Sequence, residues 1–375
     1  MAEAAGVTEV GWLDCAGGGQ VVVDGTHAYI GHIDAPNGTT IVDVEDPKRP
    51  RIVAEISVPH GLHSHKVRVR NGVMVVNREH HGTPSDGKNP GRGGLVIYDV
   101  SNPRAHRQLR HWECDGNGVH RFTFDGRYAY ISPQIEGFVG NIVMILDLRD
   151  PENPEEVGRW WMPGQWKAGG ESPSWKGQAH RCHHPIRRGD RLYTSYWHGG
   201  FVILDISDMS KPRFVSGLDW SPPFPWPTHS AVPVDRMING RRYMLVADED
   251  VLPLDPALAP QMSAFIWMVD ITDETRPVPV GSFQVEGIEG KENPQMTGCH
   301  QPVETIENDE VPAAWFSQGL RILNIGNPHA ICEVAHYLPD SRSGKRVCSN
   351  DVYVDQRGLI YLIDRWRGMH ILERA

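Results

Sequence analysis

Gly200-Phe201-Val202-Ile203-Leu204-Asp205-Ile206-Ser207-Asp208-Met209-Ser210-Lys211-Pro212 decides how this chain is read. A short aliphatic run closed by Asp and a polar turn reads as a buried strand. The Asp can bond its own backbone and open the turn, and the Pro ends the strand. The run recurs at Thr40-Ile41-Val42-Asp43, Gly94-Leu95-Val96-Ile97-Tyr98-Asp99, Val143-Met144-Ile145-Leu146-Asp147 and Trp267-Met268-Val269-Asp270. A weaker copy is Gly319-Leu320-Arg321-Ile322-Leu323-Asn324, and a truncated one, Gly368-Met369-His370-Ile371-Leu372-Glu373, ends the chain. The closing Asp or Asn residues lie 48 to 65 residues apart. That spacing leaves room for about four short strands, one blade of a β-propeller.

The expected fold is all-β, a seven-bladed β-propeller forming a single domain over residues 1–375. The blades are read at 17–58, 59–115, 116–163, 177–221, 228–286, 299–340 and 350–375. The last blade lacks an outer strand, and residues 7–14 are expected to supply it, closing the ring without a free sheet edge. The repeat resembles the LVIVD-repeat family of β-propellers, from about Gly17 to Leu372. The resemblance implies the fold and leaves the activity open, because propellers host many unrelated functions.

The formal net charge of −10 argues against a nucleic-acid partner. No run of about 18 apolar residues exists, so no membrane span is expected. The six cysteines are scattered without a pair spacing and read as free thiols in a reducing cytoplasm. A Gly-rich phosphate loop, a paired Cys-x-x-Cys and a Gly-x-Ser-x-Gly elbow are all absent. The oligomeric state is left open.

Five consecutive blades begin their inner strand with histidine: His65, His120, His183 or His184, His229 and His300. Inner-strand starts converge on the central channel, so these imidazoles should meet there. Gathered imidazoles repel one another when protonated, and a divalent transition metal (Fe, Mn or Zn) is the common resolution. The register at the fourth start admits either His183 or His184, so both stand as candidate ligands. Long insertions fall on the same face, including Pro163–Ala179, Asp219–Thr228 and Val251–Met262. Their aromatic residues Trp166, Trp175, Trp220, Phe224 and Trp226 are candidate pocket walls. Second-strand ends add Glu79, His80 and His198 as proton-transfer candidates, and Arg365 and Arg367 as anion holders.

The expected activity is Lewis-acid chemistry (a lyase, hydratase, hydrolase or isomerase) on a small polar, anionic molecule. Two alternatives stand beside it: a non-haem iron oxygenase with histidine-only ligation, and a non-catalytic interaction propeller.

Overall fold

A computed structural model describes residues 2–375 apart from 85, 86, 88, 222, 223, 250–263, 286–295, 297, 341–345 and 367. Every aliphatic run becomes the third strand of an antiparallel unit and is buried along its length, as in Phe201–Asp205 and Val143–Asp147. Full burial of one such side chain stabilises the fold by about 1.5–3 kcal/mol. The Asp that closes each run does what its chemistry suggests. Asp99, Asp147, Asp205 and Asp270 each accept, through Oδ1, the N–H two residues on at 2.8–3.0 Å. Asn324 does the same for Gly326 at 2.9 Å. The repeat is therefore a strand with a built-in Asx turn.

The expectation of seven separate blades is corrected. Among the described residues the strands form six hydrogen-bonded sheets. Five are discrete blades: four of four strands and one of five. The sixth is a nine-stranded sheet that runs unbroken across the span the sequence divides into second and third blades. The join lies where the strand Val73–His80 meets the strand Gly116–Phe124, with Gly118 opposite Glu79. Gly118 has φ +105° there, and a Cβ on it would sit 2.3 Å from the Arg78 carbonyl oxygen. Only glycine allows the two backbones to touch at this point.

The N-terminal strand Val7–Leu13 pairs with Gly368–Arg374 in one of the four-stranded sheets. The short strand Glu3–Ala5 pairs with Cys332–Leu338, as the fifth strand of the neighbouring sheet. The N-terminus thus straps two sheets together.

Inner strands carry a register shift close to the start: between Gly18 and Gln20, Val119 and Phe122, Cys182 and His184, Thr228 and Ser230, and Ser349 and Asp351. A bulge turns the extra residue out of the ladder and re-aims its side chain. His120, His183 and His229 all stand at these bulges. The fold thus uses one local irregularity, repeated round the ring, to aim imidazoles inward.

Candidate metal centre

Six imidazoles form an arc. Ring centroids are 4.0 Å apart for His63 and His65, 5.0 Å for His65 and His120, and 4.8 Å for His120 and His183. The arc continues at 4.5 Å to His229 and 3.9 Å to His300. All but the half-buried His120 are buried. Gly19 and Gly31 make room behind it, since a Cβ on either would meet the His65 backbone within 3 Å.

Hydrogen bonding fixes the tautomers, because carbonyl and carboxylate oxygens can only accept. His120 Nδ1 donates to Glu79 Oε2 at 2.7 Å, and His63 Nε2 donates to the same oxygen at 2.8 Å. His183 Nδ1 donates to the His229 carbonyl at 2.8 Å. His300 Nδ1 donates to the Asn350 carbonyl. Each neutral ring is left with one lone pair. His120 Nε2 and His183 Nε2 point theirs at each other across 3.0 Å. His63 Nδ1 is buried with no hydrogen-bond partner among the described residues. His300 Nε2 faces Glu249 Oε1 at 3.2 Å.

Burial holds His183 well below the ordinary imidazole value, with the charges of His120, Arg121 and Arg181 acting the same way. Burial likewise lowers His65, and lowers His300 to about 4. Burial also lowers His120, against the Glu79 carboxylate that would raise it. Glu79 itself is pushed up by burial, yet its bonds to His120 and His63 outweigh that and keep it ionised. Imidazoles lowered by burial beside ionised carboxylates make a site rich in donor electron pairs. The atoms of His63, His65, Glu79 and His120 that could ligate lie within 4.8 Å of one another, and so do those of His183, His229 and Glu249.

The sequence-predicted residues fall into three groups. His65, His120, His183, His229 and His300 are brought together, and Glu79 joins them. His229 is not open as a ligand in this arrangement: Nδ1 meets Ser230 Oγ at 2.9 Å, and Nε2 accepts from Arg121 Nη1 at 2.9 Å. His184 stands away from the arc. The bulge sends it one level down the channel, where its Nε2 lies 3.3 Å from Glu304 Oε1. His80 follows Glu79 on an extended strand and so points to the opposite side, leaving it half-exposed. His198 sits in a left-handed turn (φ +52°) against Trp197, whose ring stacks on His183 at 5.5 Å. Burial lowers His198 to about 4. Arg365 Nε donates to Asn350 Oδ1, and its guanidinium lies 5.1 Å over the Phe316 ring. Arg367 lies outside the described residues, as do Val251–Met262.

The loop aromatics pack on neighbours. Trp220 stacks on Trp267 at 4.8 Å, Trp175 stacks on His180 at 4.8 Å, and Trp226 is buried.

Glu249, which the residues alone left open between channel mouth and surface acid cluster, is buried. Sequence reading missed Arg181, whose guanidinium lies 3.8 Å over the Trp197 ring. In the layer beneath the imidazoles, Lys66, Arg121 and Gln301 went unread, and all are buried. The signal was present, because these residues directly follow the inner-strand histidines. The spacing of His63 and His65, two apart on an extended segment, likewise puts both rings on one side.

The LVIVD repeat family model matches residues 18–57, 91–105 and 188–219. The chain carries LVIVD repeats. The matched segments contain the runs Thr40–Asp43, Gly94–Asp99 and Phe201–Asp205, which build the buried third strands. Among solved structures, the LVIVD-repeat chain is similar to "Structure of U3-55K" and to "Crystal structure of RRP9 WD40 repeats", each with TM-score 0.64, 11% identity and 100% of both chains covered. A protein from Lactobacillus plantarum is similar at TM-score 0.60 and 11% identity, over 92% of this chain and 87% of that one. These likenesses concern the fold. No curated protein matches the chain.

Proposed function

We propose that this protein is a metal-dependent enzyme whose ion sits among the channel imidazoles. The observation that carries the reading is the pair His120 Nε2 and His183 Nε2, two lone pairs 3.0 Å apart with their second nitrogens anchored on Glu79 and the His229 carbonyl. Two ligands on one first-row ion, each about 2.0–2.1 Å from it, are separated by about this distance. A ring N–H held by a carboxylate or a carbonyl is also the usual support of a metal-bound histidine. His65 is the third candidate ligand. An imidazole-rich donor set suits zinc or iron, and manganese where a carboxylate joins.

Bound there, the ion would polarise a substrate oxygen or lower the pKa of a water. The chain's own residues would do the rest. Arg181, stacked on Trp197, and Arg365, held on Asn350, flank the arc and favour an anionic substrate group. His198, neutral at pH 7, can accept a proton from a group bound near Trp197. Glu79 orients His120 and His63, so its role is positioning. This chemistry fits a lyase, hydratase, hydrolase or isomerase acting on a small anionic molecule.

The test uses the protein loaded with Co2+, its visible spectrum followed while small carboxylates and phosphates are added. A ligand that shifts the spectrum is then assayed for turnover, and Arg365→Gln is expected to raise KM for it about tenfold or more. A spectrum that no carboxylate or phosphate moves would contradict the anionic-substrate reading.

A further inference from the structure

Glu249 follows the strand Tyr243–Asp248, and its N–H donates to the Pro227 carbonyl at 2.8 Å. Its side chain faces inward and the residue is 5% exposed. Oε2 has no hydrogen-bond partner among the described residues. Oε1 lies 3.2 Å from His300 Nε2. The second nitrogen of His300 is committed to the Asn350 carbonyl, and Phe316 covers the ring with centroids 4.4 Å apart. With its other nitrogen committed, His300 turns Nε2 towards a buried carboxylate. The guanidinium beside them, Arg365, bonds through Nε to Asn350 rather than to Glu249.

This corner repeats the geometry of the His120–His183 pair with different residues. An N···O separation of 3.2 Å again fits two ligands on one ion at about 2.0–2.2 Å each. The ligating atoms of Glu249, His183 and His229 lie within 4.8 Å of one another, so the corner adjoins the first centre. The Arg121 bond to His229 leaves His183 as the imidazole between the two.

We propose that the channel holds two cations, the second a divalent transition ion bound by Glu249 and His300. The proposal deepens the metal-centre reading and rests on residues that the first ion does not use. A carboxylate–imidazole pair suits Zn2+, Mn2+ or Fe2+. Two adjacent ions can hold the attacking and the leaving oxygen of one substrate together, as a single ion cannot.

The test is a Co2+ titration of the metal-stripped full chain, read by visible absorption and by elemental analysis after gel filtration. Wild type, Glu249→Gln, His300→Gln and His120→Ala are compared, with circular dichroism to confirm folding. The expected result is two equivalents in wild type, and one in Glu249→Gln and in His300→Gln. His120→Ala should keep the ion at Glu249. One equivalent in wild type that both Glu249→Gln and His300→Gln retain would overturn the second site and leave the first standing. One equivalent that His120→Ala keeps and Glu249→Gln loses would sustain the second site and overturn the first. No bound Co2+ in wild type would overturn both.

Discussion

The two ends of the channel are built from the same inner strands and carry opposite accounts of charge. Below the imidazoles four arginines have their acceptors. Arg68 pairs with Glu304, and Arg121 Nη2 donates to Gln301 Oε1 at 2.8 Å and to Glu304 Oε1 at 3.4 Å. Arg187 bonds Asp125 at 2.8 Å, and Arg188 pairs with Asp235. Arg68, Asp125, Arg187, Arg188 and Glu304 help line a cavity of about 440 Å3 at the far mouth. At the imidazole end the balance fails. Lone pairs of His63, His120, His183 and His300 and the carboxylates of Glu79 and Glu249 face one another without enough protons. The end with paired arginines reads as structural, and under the proposed metal reading an added cation would complete the other end.

Removing a group from the complete end should cost the most. Arg121 is fully buried, and Arg121→Met removes at once the donor to His229 Nε2, Gln301 Oε1 and Glu304 Oε1. We expect a loss of about 3–5 kcal/mol in folding stability, read by urea denaturation. A loss near zero would erase the distinction between the ends. His120→Ala should do the reverse: metal affinity falls on the order of 100-fold or more, while the metal-free protein loses far less stability than Arg121→Met does. Calorimetric titration beside thermal unfolding measures both. Glu79→Gln sharpens the contrast. The amide still reaches His120 and His63 but carries no charge, so affinity is expected to fall about 10–100-fold. An unchanged affinity would show that Glu79 does not support a ligand.

The smallest effect per group is on pH. Burial lowers His65, His183, His184, His229 and His300 below the ordinary 6.5. With the folded value below the unfolded one, the unfolded chain takes up protons first as pH falls. Stability of the metal-free protein is therefore full above pH 6.5 and declines towards pH 4, by up to about 1.4 kcal/mol per pH unit for each histidine. Bound metal occupies lone pairs and should move the onset to lower pH. Denaturation midpoints at pH 7.5, 6 and 5, with and without metal, test this. A midpoint unchanged from pH 7.5 to 5 would contradict neutral buried imidazoles.

Much of this was legible in the sequence for a physical reason. The aliphatic runs and their closing Asp residues are local devices, so strand, turn and repeat could be read from spacing. The histidines were legible because one position of the repeat holds the same residue five times. The fusion at Gly118 and Glu79 was not, since it depends on two backbones meeting from distant parts of the repeat. Glu249 stayed undecided because burial depends on the ring as a whole, and Asp248-Glu249-Asp250 fits a surface cluster as well as a channel mouth. His183 and His184 could not be separated, because a one-residue bulge decides which of them faces the arc.

The measurement that tests the central claim most directly is the metal content of untagged protein, by elemental mass spectrometry, beside His120→Ala and His183→Ala. The account predicts a transition metal at one equivalent or more in wild type, and a reduced content in both variants with the fold intact. Folded wild-type protein without transition metal, unable to take any up, would contradict it.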